Sequence, residues 1–261
     1  MKLKNKVAII TGAGRGLGRA SAIALAEEGA STVILSRTPS ELADAASAIE
    51  SKDGKVLMMR ADVSDLDDVN EVVDETVSVF GRIDILMNNA SILGPTKPVA
   101  DVADEDWTET MDINVKGPYQ FSRAVIPHMS RQGGGKIINV TSGLAEVVMP
   151  PFGAYSISKA ALNHMTRIMA EELQSHGISV NGLDPGIMDT DMQRTIRALG
   201  PEVLGDALHR QFVSFKEEGH LKSPDEIARL AVFLASEESD SITGEIGSEL
   251  DYGGYGYGME G

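Results

Sequence analysis

Tyr155-Ser156-Ile157-Ser158-Lys159 sets a phenol and an ammonium four residues apart, and Ser142 stands upstream at the end of an apolar run. At that spacing two side chains share one face of a helix, about one turn apart. A phenol alone ionises near pH 10 and is a poor base at neutral pH. A nearby cation favours phenolate, and each tenfold gain in the ionisation constant corresponds to about 1.4 kcal/mol. The pair therefore suits general acid or base work on an alcohol or carbonyl oxygen. Tyrosine and lysine also meet at this spacing by chance, so the rest of the chain must supply a reaction.

Thr11-Gly12-Ala13-Gly14-Arg15-Gly16-Leu17-Gly18 directly follows the strand-like Val7-Ala8-Ile9-Ile10 and opens a helical stretch near Arg19. Glycines permit positive φ and let backbone amides approach a pyrophosphate at a helix N-terminus. The strict G-x-G-x-x-G template fails at Leu17; Gly12, Gly16 and Gly18 give G-x-x-x-G-x-G instead. A plain tight connection is the bland alternative, but between a first strand and a first helix the loop predicts nucleotide binding. The acid that would hold a ribose 2′-hydroxyl at the end of the second strand is missing. Ser36 and Arg37 stand there, with no acid before Glu41. Arg37, with Arg15 in the glycine loop, suits a 2′-phosphate. Two solvated arginines are the alternative; the expectation is NADP(H), with NAD(H) second.

The elements that must carry these residues alternate. Strand candidates lie near 6–11, 32–36, 55–60, 83–87, 136–141 and 178–183, with a shorter one around 246–251. Helix-period stretches such as Arg19–Glu28, Glu41–Lys52 and Asp65–Phe80 separate them. Such alternation reads as βαβ units on a parallel sheet covered on both faces. No linker or repeat divides the chain, so residues 1–261 read as one α/β domain. Residues 188–222 are expected to form a mobile helical lid. The glycine-aromatic tail from Asp251 to Gly258 reads as an irregular terminus, or as a segment packed on a second subunit.

With 23 basic and 39 acidic residues the chain carries a formal charge of −16. Such acidity repels phosphate backbones and anionic lipid, which argues against nucleic-acid or membrane-surface partners. The absence of cysteine excludes disulfides and thiolate chemistry. The first apolar run is too short for a signal peptide and no stretch has the length of a membrane span, so the expectation is a cytoplasmic protein. Neither the five histidines nor the carboxylates form an obvious ligand set, and no metal is expected.

Taken together, Thr11–Gly18, Asp62-Val63, Asn88-Asn89-Ala90, Asn114, Ser142, Tyr155 with Lys159, and Pro185-Gly186 followed by Thr190 resemble the short-chain dehydrogenase/reductase family over nearly the whole chain. The resemblance implies a Rossmann-type, doubly wound fold with a seven-stranded parallel sheet. It implies hydride transfer between nicotinamide C4 and a carbonyl or alcohol carbon, with Tyr155 as general acid/base. It further implies that Asp62 and Val63 meet the adenine, Asn89 and Ala90 the adenosine ribose, and Lys159 the nicotinamide ribose. Pro185, Gly186, Ile187 and Thr190 would hold the carboxamide end. Ser142 would donate to the substrate oxygen, and Asn114 would seat a water linking Lys159 to solvent. Each has a bland counterpart: Asp62 a turn residue, Asn114 a helix kink, Ser142 a cap. Helices within Asp104–Arg131 and Phe152–Ser175 would form the interfaces of a homotetramer or homodimer, with His164 a surface or interface residue.

Three departures fall in substrate- or subunit-facing regions: Ser91 in place of the usual glycine, a loop from Leu144 to Phe152 without glycines, and Tyr252 within the terminal Asp-Gly-Gly. Ser91 is expected to restrict the backbone near the ribose. Substrate contact is expected from Ser142, Leu144, Val147, Val148, Met149, Phe152, Tyr155, Ile187, Met188 and Met192. These apolar walls suit a ketone, a β-ketoacyl thioester or a cyclic alcohol, with Glu146 an uncommitted loop carboxylate. The competing reading is a catalytically silent NADP(H)-sensing protein, which would be expected to lack the serine, tyrosine or lysine.

Overall fold

The structure is a computed structural model describing residues 1–258. Seven parallel strands run in the order β3-β2-β1-β4-β5-β6-β7. They are β1 (Val7–Thr11), β2 (Ser31–Ser36), β3 (Lys55–Arg60), β4 (Ile85–Asn88), β5 (Gly135–Val140), β6 (Ile178–Leu183) and β7 (Ile246–Gly247). The central strands are continuous β-branched or aliphatic runs because both faces are covered; β1 and β4 are buried throughout. The order reverses between β1 and β4, where the strands' carboxyl ends open a crevice.

One face packs on α1 (Gly16–Glu27), α2 (Pro39–Glu50) and α10 (Pro224–Ala235), through Leu17, Leu25, Leu42, Ile227 and Leu230. The other packs on α3 (Leu66–Phe80), α5 (Gly117–Gln132) and α6 (Gly153–Leu173), through Val69, Val73, Phe121, Val125 and Leu173. A short α4 (Asp104–Met111) enters α5 through a π-helical turn at Asp112–Lys116. No helix among the described residues is long and apolar enough to cross a membrane.

The 188–222 segment forms α7 (Asp191–Ala198), α8 (Pro201–Leu204) and α9 (Asp206–Glu217). Its two stems are tied by backbone bonds: Asp189 N–H donates to Lys222 O at 2.9 Å and Lys222 N–H to Ile187 O at 3.0 Å. The last strand is shorter than expected. Ser248 and Asp251 form a reciprocal capping box that ends β7 and starts α11 (Glu249–Gly253). The tail folds back on its own core. Tyr252 is buried with its hydroxyl 2.9 Å from Gly182 O and 3.0 Å from Glu245 O, and the Tyr257 ring lies edge-on to Phe233. Tyr252→Phe should therefore lower unfolding free energy by about 1 kcal/mol in urea; unchanged stability would show that this hydroxyl does not hold the tail.

Candidate active site

The site lies where the crevice meets β5 and α6, and three consecutive residues at the end of β5 fix it. Asn139 Nδ2 donates to Thr166 Oγ1 at 2.9 Å, Lys159 Nζ donates to Val140 O at 2.8 Å, and Thr141 Oγ1 donates to Asn163 Oδ1. Tyr155, Lys159, Asn163 and Thr166 follow the three- and four-residue spacing of one helix face. All of these groups are buried. The strand end that leads to Ser142 is thereby laced to the helix that carries Tyr155 and Lys159.

Ser142 caps the 3-10 turn Gly143–Ala145, accepting from Leu144 N–H at 3.2 Å. Its hydroxyl and that of Ser91 are the two that act to lower the Tyr155 phenol. Lys159 Nζ sits 5.6 Å from the Tyr155 ring centroid. Proximity does not give the pKa pattern that the sequence suggests. Burial dominates and pushes the Tyr155 phenol up to about 12, with Asp184 adding to the rise and the two serines opposing it. Burial also brings Lys159 down to about 7, against the pull of Asp184. In a dry pocket each group favours its neutral form.

Asn114 lies inside the π-helical turn and is wholly buried. Its Nδ2 donates to Ile92 O at 2.9 Å and Ser158 Oγ at 3.0 Å, while Oδ1 accepts from Ile92 N–H at 2.9 Å and Ser91 Oγ at 3.1 Å. The carboxamide is thus fully used in tying the segment after β4 to α6. Ser91 does not have a positive φ, so the expected backbone restriction there does not arise.

A cavity of about 470 Å³ runs from the glycine loop to Tyr155. Gly12, Arg15, Gly16, Leu17, Ser36, Arg37, Asp62, Val63, Asn89, Ala90, Lys159, Pro185, Met188, Thr190 and Met192 line it. Gly12 and Gly16 take φ of +64° and +54°, which excludes side-chain-bearing residues without strain. Gly18 does not line the cavity; a Cβ there would lie 2.4 Å from both Asn89 Nδ2 and Gly12 O. Asn89 in turn holds the loop, donating to Thr11 O at 2.9 Å and Gly12 O at 3.1 Å. The first turn of α1 has no side-chain cap, which leaves its amides facing the cavity mouth.

At the far end Arg15 pairs with Glu41 at 3.5 Å and Asp191 at 3.3 Å, and Arg37 with Asp62 at 3.8 Å. Burial alone would raise Asp62, but bonds from Ser64 and the charges of Arg37 and Arg60 hold it below its ordinary value. Sequence spacing does not single out Glu41. It lies in the first turn of α2, and its Oε2 would sit 3.0 Å from a Cβ on Gly14, so an acid does reach the glycine loop.

Several expected substrate contacts are displaced. Val148 is 91 % and Val147 54 % exposed, because the loop turns both outward. Phe152 is fully buried behind Tyr155, edge-on to Phe212, so it supports the pocket rather than lining it. Gly186 is exposed at a positive-φ turn and the Ile187 carbonyl anchors the stem at Lys222; neither lines the cavity. Leu93 and Thr195, which the sequence does not single out, do line it.

The chain matches the short chain dehydrogenase family over residues 6–199 and belongs to that family. It is 34% identical to the 3-oxoacyl-(acyl-carrier-protein) reductase FabG of Thermotoga maritima, over 94% of this chain and 96% of the relative. The fold superposes on levodione reductase with a TM-score of 0.87 at 29% identity, covering 94% and 96% of the two chains. It superposes on NAD+-bound xylitol dehydrogenase with a TM-score of 0.86 at 29% identity, covering 95% and 98%. The chain is thus an oxidoreductase of a nicotinamide-dependent family.

The buried lysine gives a stability signature. Its folded pKa is about 7, against 10.5 for the free side chain, so between those values the unfolded chain binds more protons. Stability from this group therefore rises with pH across that window, by at most about 1.4 kcal/mol per pH unit. Urea unfolding at pH 7 and pH 9 should show wild type gaining on Lys159→Met; a constant difference would contradict the neutral lysine.

Proposed function

We propose that the protein is an NADP(H)-dependent oxidoreductase interconverting a carbonyl and an alcohol, with Tyr155 as general acid/base. The observation that carries this reading is one continuous cavity, opening at the uncapped α1 N-terminus and ending at Thr141, Tyr155 and Lys159, next to Ser142 in the chain. The bare amides and positive-φ glycines suit a pyrophosphate. When bound, the nicotinamide cofactor supplies or accepts hydride at C4.

The remaining work belongs to the chain. Thr190 and Pro185 would orient the carboxamide end, Lys159 the ribose, and Asn89 and Ala90 the adenosine side. Asp62 would accept from the adenine. Ser142 would donate to the substrate oxygen as negative charge develops, from a position fixed beforehand. Tyr155 holds its proton at neutral pH, so it is ready to donate to a nascent alkoxide, which favours the carbonyl-reducing direction. Asn114 would serve through its backbone, since its carboxamide is occupied.

Leu93, Met188 and Met192 support an apolar ketone, thioester or cyclic alcohol. The names of the FabG relative and of levodione reductase support carbonyl reduction. Arg15 and Arg37 support NADP(H) over NAD(H). Their present ion pairs are half-exposed and weak, and yield to a phosphate. Glu41 and the NAD+-bound neighbour keep NAD(H) as the second choice. The silent-sensor alternative is disfavoured because the serine, tyrosine and lysine all remain. Exposed Tyr119, Ile157 and Ile168 on α5 and α6 support a homotetramer or homodimer, and a cytoplasmic location completes the reading.

A screen of ketones and alcohols with NADPH and NADH in parallel tests it. Tyr155→Phe should lose at least about a hundredfold in kcat while binding NADPH within about twofold of wild type. Arg37→Ala should raise the NADPH KM about tenfold and leave the NADH KM unchanged. Unchanged turnover in Tyr155→Phe would remove Tyr155 from the reaction, and a strong wild-type preference for NADH would overturn the phosphate reading.

A further inference from the structure

Arg15 stands in the glycine loop between two carboxylates. Glu41, in the first turn of α2, lies 3.5 Å away, and Asp191, the first residue of α7, lies 3.3 Å away. All three line the cavity. Glu41 belongs to the packed body of the fold, next to buried Leu42. Asp191 belongs to the 188–222 segment, so its pair with Arg15 runs from the glycine loop to the start of that segment. The two sides also touch, since a Cβ on Gly16 would lie 3.7 Å from Thr190 Cγ2.

α7 is held separately from its neighbours. Asp189, just before it, pairs with Lys216 of α9 at 2.5 Å, and Lys222 ties the two stems without help from Arg15. Asp191 has a second partner in Arg194, three residues along the helix, and so stays paired when Arg15 leaves. On the same helix Gln193 Oε1 and Arg197 Nη1, four residues apart, are buried with no hydrogen-bond partner among the described residues. Buried polar atoms are nearly always bonded, so a helix that strands two of them gains bonds by re-seating. Met192 and Thr195 of α7 line the cavity, and a shift of this helix therefore reshapes it.

We propose that Asp191 is a cofactor-discriminating residue: it latches α7 to Arg15, and a phosphate monoester on the adenosine ribose takes Arg15 from it and frees α7. This rests on the NADP(H) reading. A guanidinium binds a phosphate through paired, charge-assisted hydrogen bonds, whereas a half-exposed ion pair such as Arg15–Asp191 is weak. A cofactor without the 2′-phosphate leaves the latch shut. NADP(H) is then selected twice, by its contact with Arg15 and by the release of α7 that the contact brings.

The test needs no turnover. Its probes are adenosine 2′,5′-bisphosphate and adenosine 5′-monophosphate, which differ only in the 2′-phosphate and carry no nicotinamide to engage Thr190. Amide hydrogen exchange across 191–198 is followed in the full-length protein. The bisphosphate should speed that exchange about threefold, and the monophosphate should leave it unchanged. Asp191→Asn and Arg15→Ala should each show the faster exchange without ligand, and the double variant should be no faster than either. Arg15→Ala keeps the acid at the start of α7, so loss of a helix-end charge alone would speed exchange only in Asp191→Asn. By calorimetry Asp191→Asn should bind the bisphosphate about threefold more tightly and the monophosphate as wild type does. Glu41→Gln should also tighten the bisphosphate but leave α7 exchange unchanged. Bisphosphate that binds more tightly than monophosphate without speeding α7, or fast exchange in Asp191→Asn but not in Arg15→Ala, would overturn the latch while the NADP(H) reading stands. Equal wild-type affinity for the two nucleotides would overturn the NADP(H) reading and the latch with it.

Discussion

Asn139, Val140 and Thr141 are each bonded to a different residue of α6, and every other feature of the site depends on that lacing. Val140 gives its carbonyl to Lys159, while the side chains of Asn139 and Thr141 reach Thr166 and Asn163. Each bond is worth only about 1 kcal/mol net, but breaking one strands a polar group in a dry interior, which costs more. The strand end and the helix therefore move as a unit. Ser142 is the next residue along that strand, so its separation from Tyr155 is set by the lacing rather than by the loop between them. That loop is free to vary, and it turns Val147 and Val148 into solvent without disturbing the chemistry.

The same enclosure tunes the reactive groups. A pocket dry enough to make the lacing strong also disfavours charge, raising Tyr155 and lowering Lys159. At Tyr155 the two serines, Ser142 and Ser91, oppose part of that rise. A second set of buried bonds, from Asn89 to Thr11 and Gly12, fastens the glycine loop to the end of β4. Ser91 lies two residues beyond Asn89. The glycine loop and the Asn114 carboxamide are therefore both tied to the one short segment after β4, at the point where the strand order reverses.

Much of the fold can be read from the chain. The apolar runs at 6–11, 55–60 and 178–183 coincide with strands to within a residue, because buried parallel strands are uninterrupted and their neighbouring helices keep a 3.6-residue period. β7 is shorter than its composition implies because β-propensity says nothing of the capping box that Ser248 forms with Asp251. The grouping of Ser142, Tyr155 and Lys159 is legible from spacing, since a helix face and a strand end are local facts. Glu41 is not, because its importance comes from what faces it, Gly14 across a turn. The Tyr155 pKa also moves opposite to the direction that spacing suggests. Sequence shows the neighbouring charge, whereas the burial that outweighs it exists only in the folded chain.

The central claim is that the resting site holds Tyr155 as a neutral phenol, enclosed with a lysine that also favours its neutral form. The direct measurement is a pH titration of [13Cζ]tyrosine-labelled protein by NMR without cofactor, with the Tyr155→Phe spectrum identifying the resonance among the five tyrosines. The account predicts that this resonance keeps its phenol position through pH 10. A Tyr155 signal that moves to the phenolate position below pH 8 would contradict it.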